Sequence, residues 1–133
     1  MPINAVDHVN IVTDKLDETA DFYEKVLGLR RGESPGAAMG FKGAWMFDSN
    51  DRAIVHLVWL DPERSFAQEH KPGTVTGSIH HVAFQCSDFA GSIERLKAHG
   101  IEHSFIDEPR GGFRQIVLVD PNNINLELSF HER

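Results

Sequence analysis

Cysteine is almost absent from this chain: Cys86 is the one thiol in 133 residues. A lone cysteine forbids an intrachain disulfide and fits a reducing cytoplasm. Positive charge is also scarce, with 13 Lys and Arg against 20 Asp and Glu, a formal net charge of -7. That balance excludes nucleic acid and anionic membrane surfaces as main partners. No apolar run approaches the roughly 20 residues of a membrane helix. The opening Met1-Pro2-Ile3-Asn4 has neither a basic n-region nor an apolar h-region. No secretion signal is therefore expected, and a cytoplasmic location is. What remains, 41% hydrophobic and 25% charged, is the composition of a soluble globular domain, or of two small halves sharing a core.

Histidine, by contrast, is plentiful, with eight in the chain. Any metal site is thereby tilted toward nitrogen and oxygen ligands. Two of the histidines open similar segments, Asp7-His8-Val9-Asn10-Ile11-Val12 and His80-His81-Val82-Ala83-Phe84-Gln85. In each, apolar residues alternate with polar or small ones, the period of a half-buried strand. Val9 and Ile11 face one way, and His8 and Asn10 the other. Val82 and Phe84 face one way, and His81, Ala83 and Gln85 the other. Two strands that each aim a histidine away from the apolar side imply a shared polar cavity.

The segments after these strands also correspond. Asp14 is positioned to cap a helix whose buried stripe is Leu16, Ala20, Tyr23 and Leu27, with Gly28 as its C-terminal stop. Gly36, Gly40 and Gly43 divide the next stretch into short strands. Ala44–Phe47 reads as a strand, Asp48–Asp51 as a turn, and Ile54–Trp59 as a further strand. From Asp61 to Ser78 the pattern lapses into a linker. In the second half Ser87 or Asp88 caps a helix buried through Phe89, Ile93 and Leu96 and ending at Gly100. Strands are predicted over Ile101–Ile106, Gln115–Val119 and Ile124–Phe130, with turns at Pro109, Gly111 and Gly112 and at Asp120–Asn123. The prediction is an α+β domain spanning residues 1–133, with module 1 at about 3–60, the linker at about 61–78 and module 2 at about 79–131.

The offsets are nearly constant. His8 and His81 are 73 apart, Gly28 and Gly100 72, Asp48 and Asp120 72, and His56 and Glu127 71. Four polar residues thus occupy matching places: His8 and His81 on the first strand of each half, His56 and Glu127 on the last. Imidazoles with one carboxylate suit a divalent first-row ion such as Fe, Mn, Ni, Zn or Co. A single strand histidine is more often structural than ligating, so the inference rests on the fourfold match.

The chain resembles the vicinal oxygen chelate superfamily, which includes glyoxalase I, fosfomycin resistance enzymes, methylmalonyl-CoA epimerase, extradiol dioxygenases and bleomycin resistance proteins. The resemblance rests on Asp7–Ile11, Asp21–Leu29, His81–Phe84, and Val119-Asp120-Pro121-Asn122 running into Leu126-Glu127-Leu128. It implies two βαβββ modules whose curved mixed sheets form a metal-centred cup, often completed by a homodimer. The family's usual ligands map to His8, His81 and Glu127. The fourth place, a Glu or Gln in glyoxalase-like members, is His56 here, as ligand or as acid-base catalyst. The implied function is a metal-dependent lyase or isomerase that binds vicinal oxygens of a small substrate. An Fe(II) extradiol-type dioxygenase and a metal-free drug- or metabolite-sequestering protein are the alternatives.

Candidate substrate contacts are Arg114, Trp45 and Asn10. Arg30, Arg31, Lys42 and Arg110 could also hold an anionic substrate tail, but side chains of this kind on strand ends and loops are more often solvated. Phe47, Trp59 and Phe113 could join Trp45 in an aromatic pocket or pack in the core. His80 is expected to point opposite to His81 and to be structural. Cys86, on the face of Val82 and Phe84, is expected to be an inert thiol.

Overall fold

The computed structural model describes residues 1–33, 42–63, 67–108 and 112–131. The chain divides into two compact units, Met1–Pro72 and Gly73–Arg133. Each carries one four-stranded mixed sheet and repeats the order strand, helix, three strands. The predicted α+β class and its βαβββ modules are therefore present. The strand breaks predicted at Gly36 and Gly40, and Pro109 and Gly111 of the later turn, lie outside the described residues. Among the described residues no helix is long and apolar enough to cross a membrane.

In the first unit β1 (Val9–Thr13) leads to α1 (Leu16–Asp21), which continues as one π-helical turn over Phe22–Val26. β2 (Arg30–Glu33), β3 (Gly43–Phe47) and β4 (Ala53–Trp59) follow. The sheet order is β1-β4-β3-β2, with β1 parallel to β4 and the other pairs antiparallel. Strand alternation sends Ile11, Met46, Val55 and Leu57 to the buried side, with Leu16, Ala20 and Tyr23 of the helix also buried. Each large apolar side chain buried in this way contributes about 1.5–3 kcal/mol. The helix buries more than the predicted stripe: Phe22 and Val26 are buried as well, while Leu27 is half-buried.

Asp14 is not the cap. The Lys15 amide donates to Thr13 Oγ1 at 3.0 Å, and the buried Thr13 and Thr19 hydroxyls meet at 3.2 Å. A threonine at the end of β1 thus ties strand to helix from the inside, where the exposed Asp14 does not reach. β2, Arg-Arg-Gly-Glu, is an edge strand with no apolar alternation to announce it. Gly32 is needed there, because a Cβ would fall 2.6 Å from the Phe47 ring.

The second unit repeats the plan with β5 (Val82–Cys86), α2 (Phe89–Ala98), β6 (Ser104–Glu108), β7 (Phe113–Val119) and β8 (Asn125–Phe130). The sheet order is β5-β8-β7-β6, with β5 parallel to β8. Of the two predicted caps Asp88 is used, accepting from the Gly91 amide at 3.1 Å. Both helices stop at a glycine in the left-handed region, Gly28 at φ 79° and Gly100 at φ 66°, as their C-terminal role requires. β6 starts later than predicted. The Ile101 amide closes the helix end on the Leu96 carbonyl, so residues 101–103 belong to the exit turn.

The same turn closes the last hairpin of both units. Asp48 Oδ1 accepts from the amides of Asn50 and Arg52, each at 2.9 Å. Asp120 Oδ1 accepts from Asn122 at 2.8 Å and Ile124 at 2.9 Å. The Arg52 amide is the main cause holding the Asp48 carboxyl below the usual carboxylate range. That contribution to stability is present above about pH 4 and is lost as pH falls through the depressed value. Asp120 is buried, so its loss strands two amides. Asp120→Ala is expected to lower unfolding stability by about 1–3 kcal/mol, read as a reduced urea midpoint. An unchanged midpoint would show that the turn does not depend on this carboxylate.

Candidate metal centre

Parallel pairing of β1 with β4 sets Asn10 opposite His56, and antiparallel pairing of β3 with β4 sets Trp45 opposite His56. Asn10, His56 and Trp45 therefore form one row across three strands. His8, two residues before Asn10, shares its side. The Trp45 and His56 rings stack with centroids 4.1 Å apart and planes 4° apart. His8 meets Trp45 edge-on at 4.8 Å and His56 at 6.3 Å between centroids. Asn10 Nδ2 lies 3.3 Å from His56 Nδ1. Asp7 Oδ2 lies 2.6 Å from His8 Nδ1. The buried indole Nε1 of Trp45 has no hydrogen-bond partner among the described residues.

The corresponding row of the second unit is Ala83, Glu127 and Val117. Glu127 therefore stands where His56 stands in the first unit. His81, two residues before Ala83, shares this side, and its Nε2 lies 3.9 Å from Glu127 Oε2. Ser129 Oγ donates to the same carboxylate oxygen at 3.1 Å. His80 does not point away from His81. Both precede β5, where strand alternation has not begun, and their Nδ1 atoms are 2.9 Å apart.

Each unit thus brings together a first-strand imidazole and the last-strand donor predicted with it. Among the described residues no group of three or more His, Cys, Asp or Glu side chains gathers as a ready metal site. The His81 and Glu127 pair still fits an ion chemically. Metal–nitrogen and metal–oxygen bonds of about 2.0–2.2 Å can share one ion across the gap between His81 and Glu127.

The structure does not bring Arg114 to this row. It pairs with Phe130, on the opposite face from Glu127. There its guanidinium bonds Asp107 Oδ1 at 3.2 Å and lies 5.0 Å from the centre of the Phe89 ring. Asp107 and the Phe89 ring of α2 are thus its neighbours in this structure. Arg30 is paired with Asp51 and covers Phe47, Arg31 bonds Asp17, and Lys42 lies over Trp59. These contacts leave Trp45 as the one tryptophan in the histidine row. Arg110 lies outside the described residues. Sequence reasoning assigned no role to Asp7, whose adjacency to a strand-opening histidine was the available signal.

Residues 5–128 match the family model described as the Glyoxalase/Bleomycin resistance protein/Dioxygenase superfamily. The chain belongs to that superfamily, the vicinal oxygen chelate superfamily of the resemblance above. It is 28% identical over 132 residues to the curated protein Glyoxylase I 4 of Arabidopsis thaliana, covering 95% of this chain and 70% of that protein. Two solved structures share the fold. A glyoxalase family protein from Bacillus anthracis superposes with TM-score 0.72 at 21% identity, covering 99% of this chain and 98% of its own. A variant of the fosfomycin resistance protein FosX from Listeria monocytogenes, complexed with Mn(II) and 1S,2S-dihydroxypropylphosphonic acid, gives 0.69 at 20% identity, covering 98% and 95%.

Burial, then the charge of neighbouring His8, lowers the His56 pKa below the ordinary imidazole value. His56 is therefore neutral at pH 7, and protonating it costs stability as pH falls below about 6.5. An NMR titration is expected to place its midpoint under that of an unperturbed histidine. His8→Gln should move it part of the way back. A midpoint unaffected by that replacement would show that burial alone sets it.

Proposed function

We propose that this protein is a metal-dependent enzyme of the lyase or isomerase type, acting on a small molecule with two neighbouring oxygens. His8, His81 and Glu127 are the ligands of its divalent ion, and His56 is the proton carrier. The observation that carries the reading is the approach of His81 Nε2 to Glu127 Oε2, 3.9 Å apart at the two positions the family resemblance assigns to ligands. His81 and Glu127 lie on the less buried side of their sheet, where a cation can use them. The bound ion would supply Lewis-acid stabilisation of charge developing on substrate oxygen.

The chain's own residues supply the rest. Neutral His56 can take a proton from substrate and, once protonated, return it. Asn10 holds that ring through Nδ1. Its amide donates in one orientation and accepts when turned over, so it serves either neutral tautomer. Stacking on Trp45 fixes the ring plane.

His8→Ala, His81→Ala and Glu127→Ala are each expected to abolish metal retention, read by elemental analysis of the purified protein. Wild-type metal content in all three would remove the ligand assignment, and metal-free wild-type protein would favour a sequestering role. His56→Ala is expected to retain the metal while losing activity; loss of both would make it a ligand. An imidazole in the fourth position, where glyoxalase-like members have Glu or Gln, favours a second reading, an Fe(II) ring-cleaving dioxygenase. Oxygen uptake with a catechol after anaerobic Fe(II) loading separates it from the first.

A further inference from the structure

The two proposed histidine ligands are held in the same way, by the residue directly before each. Asp7 Oδ2 lies 2.6 Å from His8 Nδ1. His80 Nδ1 lies 2.9 Å from His81 Nδ1, with the two rings edge-on at 5.2 Å between centroids. Asp7 and His80 are 73 positions apart, the same offset as His8 and His81. One contact thus recurs at one place of the repeat with different chemistry on each side.

The first contact fixes a proton. An ionised carboxylate has none to give, so His8 must donate from Nδ1. In the neutral ring its Nε2 is then a bare lone pair. The second contact needs one donor and one acceptor, since two N–H groups or two lone pairs would repel. His81 Nε2 is 3.9 Å from Glu127, beyond hydrogen-bond range, so Nδ1 is the ring nitrogen with a partner that can hold a proton. His80 is tethered in turn, as its carbonyl accepts from Asn125 Nδ2 at 3.1 Å on β8. The strand that carries Glu127 therefore also anchors the residue that orients His81.

We propose that Asp7 and His80 are paired positioning residues, which keep the proton of His8 and His81 on Nδ1 and leave Nε2 of each as a ready ligand. The role rests on the metal reading above, although the proton placement does not require the metal. A ligating imidazole whose second nitrogen donates to a fixed acceptor is held in tautomer and in ring orientation, and its loss typically weakens metal binding about 10- to 100-fold.

The test has two arms. Long-range nitrogen–proton NMR correlations of the metal-free protein are expected to show His8 and His81 protonated on Nδ1. Asp7→Ala should shift His8, and His80→Ala should shift His81, toward the Nε2-protonated form. Asp7→Asn and His80→Asn, which keep an acceptor oxygen in place, should restore the wild-type pattern. Zn(II) titration should then give affinities about 10- to 100-fold weaker for the alanine variants and near wild type for the asparagine variants. Wild-type protein with Nε2-protonated His8 and His81, or alanine variants with unchanged tautomers, would overturn the proposal. Failure of the metal reading is separately visible, as wild-type protein that binds no Zn(II) or His8→Ala that binds it equally well. In that case the tautomer spectra still decide the proton placement.

Discussion

Parallel pairing of the first and last strands of each unit is the constraint on which the candidate site depends. Parallel strands cannot be joined by a tight turn, so the chain must travel through a helix and two further strands before returning. On its return, β4 lies beside β1 and β8 beside β5. Residues nearly 50 positions apart in sequence, such as Asn10 and His56, become neighbours on one sheet face. A one-residue slip in either pairing would send the last-strand donor to the helix side. The apolar residues flanking that donor prevent the slip, because Val55 and Leu57, like Leu126 and Leu128, are buried on the other side. Core packing and site geometry are therefore one requirement.

Much of this was legible in the sequence because it was written twice. Asp48 and Asp120, Gly28 and Gly100, and His56 and Glu127 recur at nearly constant spacing, and each pair holds the same structural place in its unit. What escaped notice had no periodic signature. β2 is a charged edge strand whose partner defines it. β6 begins three residues late because a helix-exit hydrogen bond takes Ile101. Thr13 replaces Asp14 at the start of α1 because the buried hydroxyl reaches the first turn from the strand side. His80 was assigned by strand alternation at a position where no strand yet exists. Arg114 stood out only because it leads into a strand, and alternation along β7 sends it to the helix face, where Asp107 and Phe89 hold it.

The two units share a backbone plan but not a row of side chains. The first carries Asn10, His56 and Trp45 where the second carries Ala83, Glu127 and Val117. One row offers an imidazole packed between an amide and an indole; the other offers a carboxylate between small and aliphatic groups. The first is suited to handling protons and aromatic or polar surface, and the second to holding positive charge. A repeated strand order thus supplies two platforms of equivalent pairing that differ in chemical offering.

The indole nitrogen of Trp45 adds a bias of its own. It is buried and meets no acceptor among the described residues. Leaving such a donor unsatisfied costs about 1–3 kcal/mol. A guest that presents an oxygen or nitrogen lone pair to it recovers that penalty, and a plain hydrocarbon of the same shape does not. On the reading proposed above, a ligand bearing such an acceptor would be preferred over its hydrocarbon counterpart by more than a missing methylene costs.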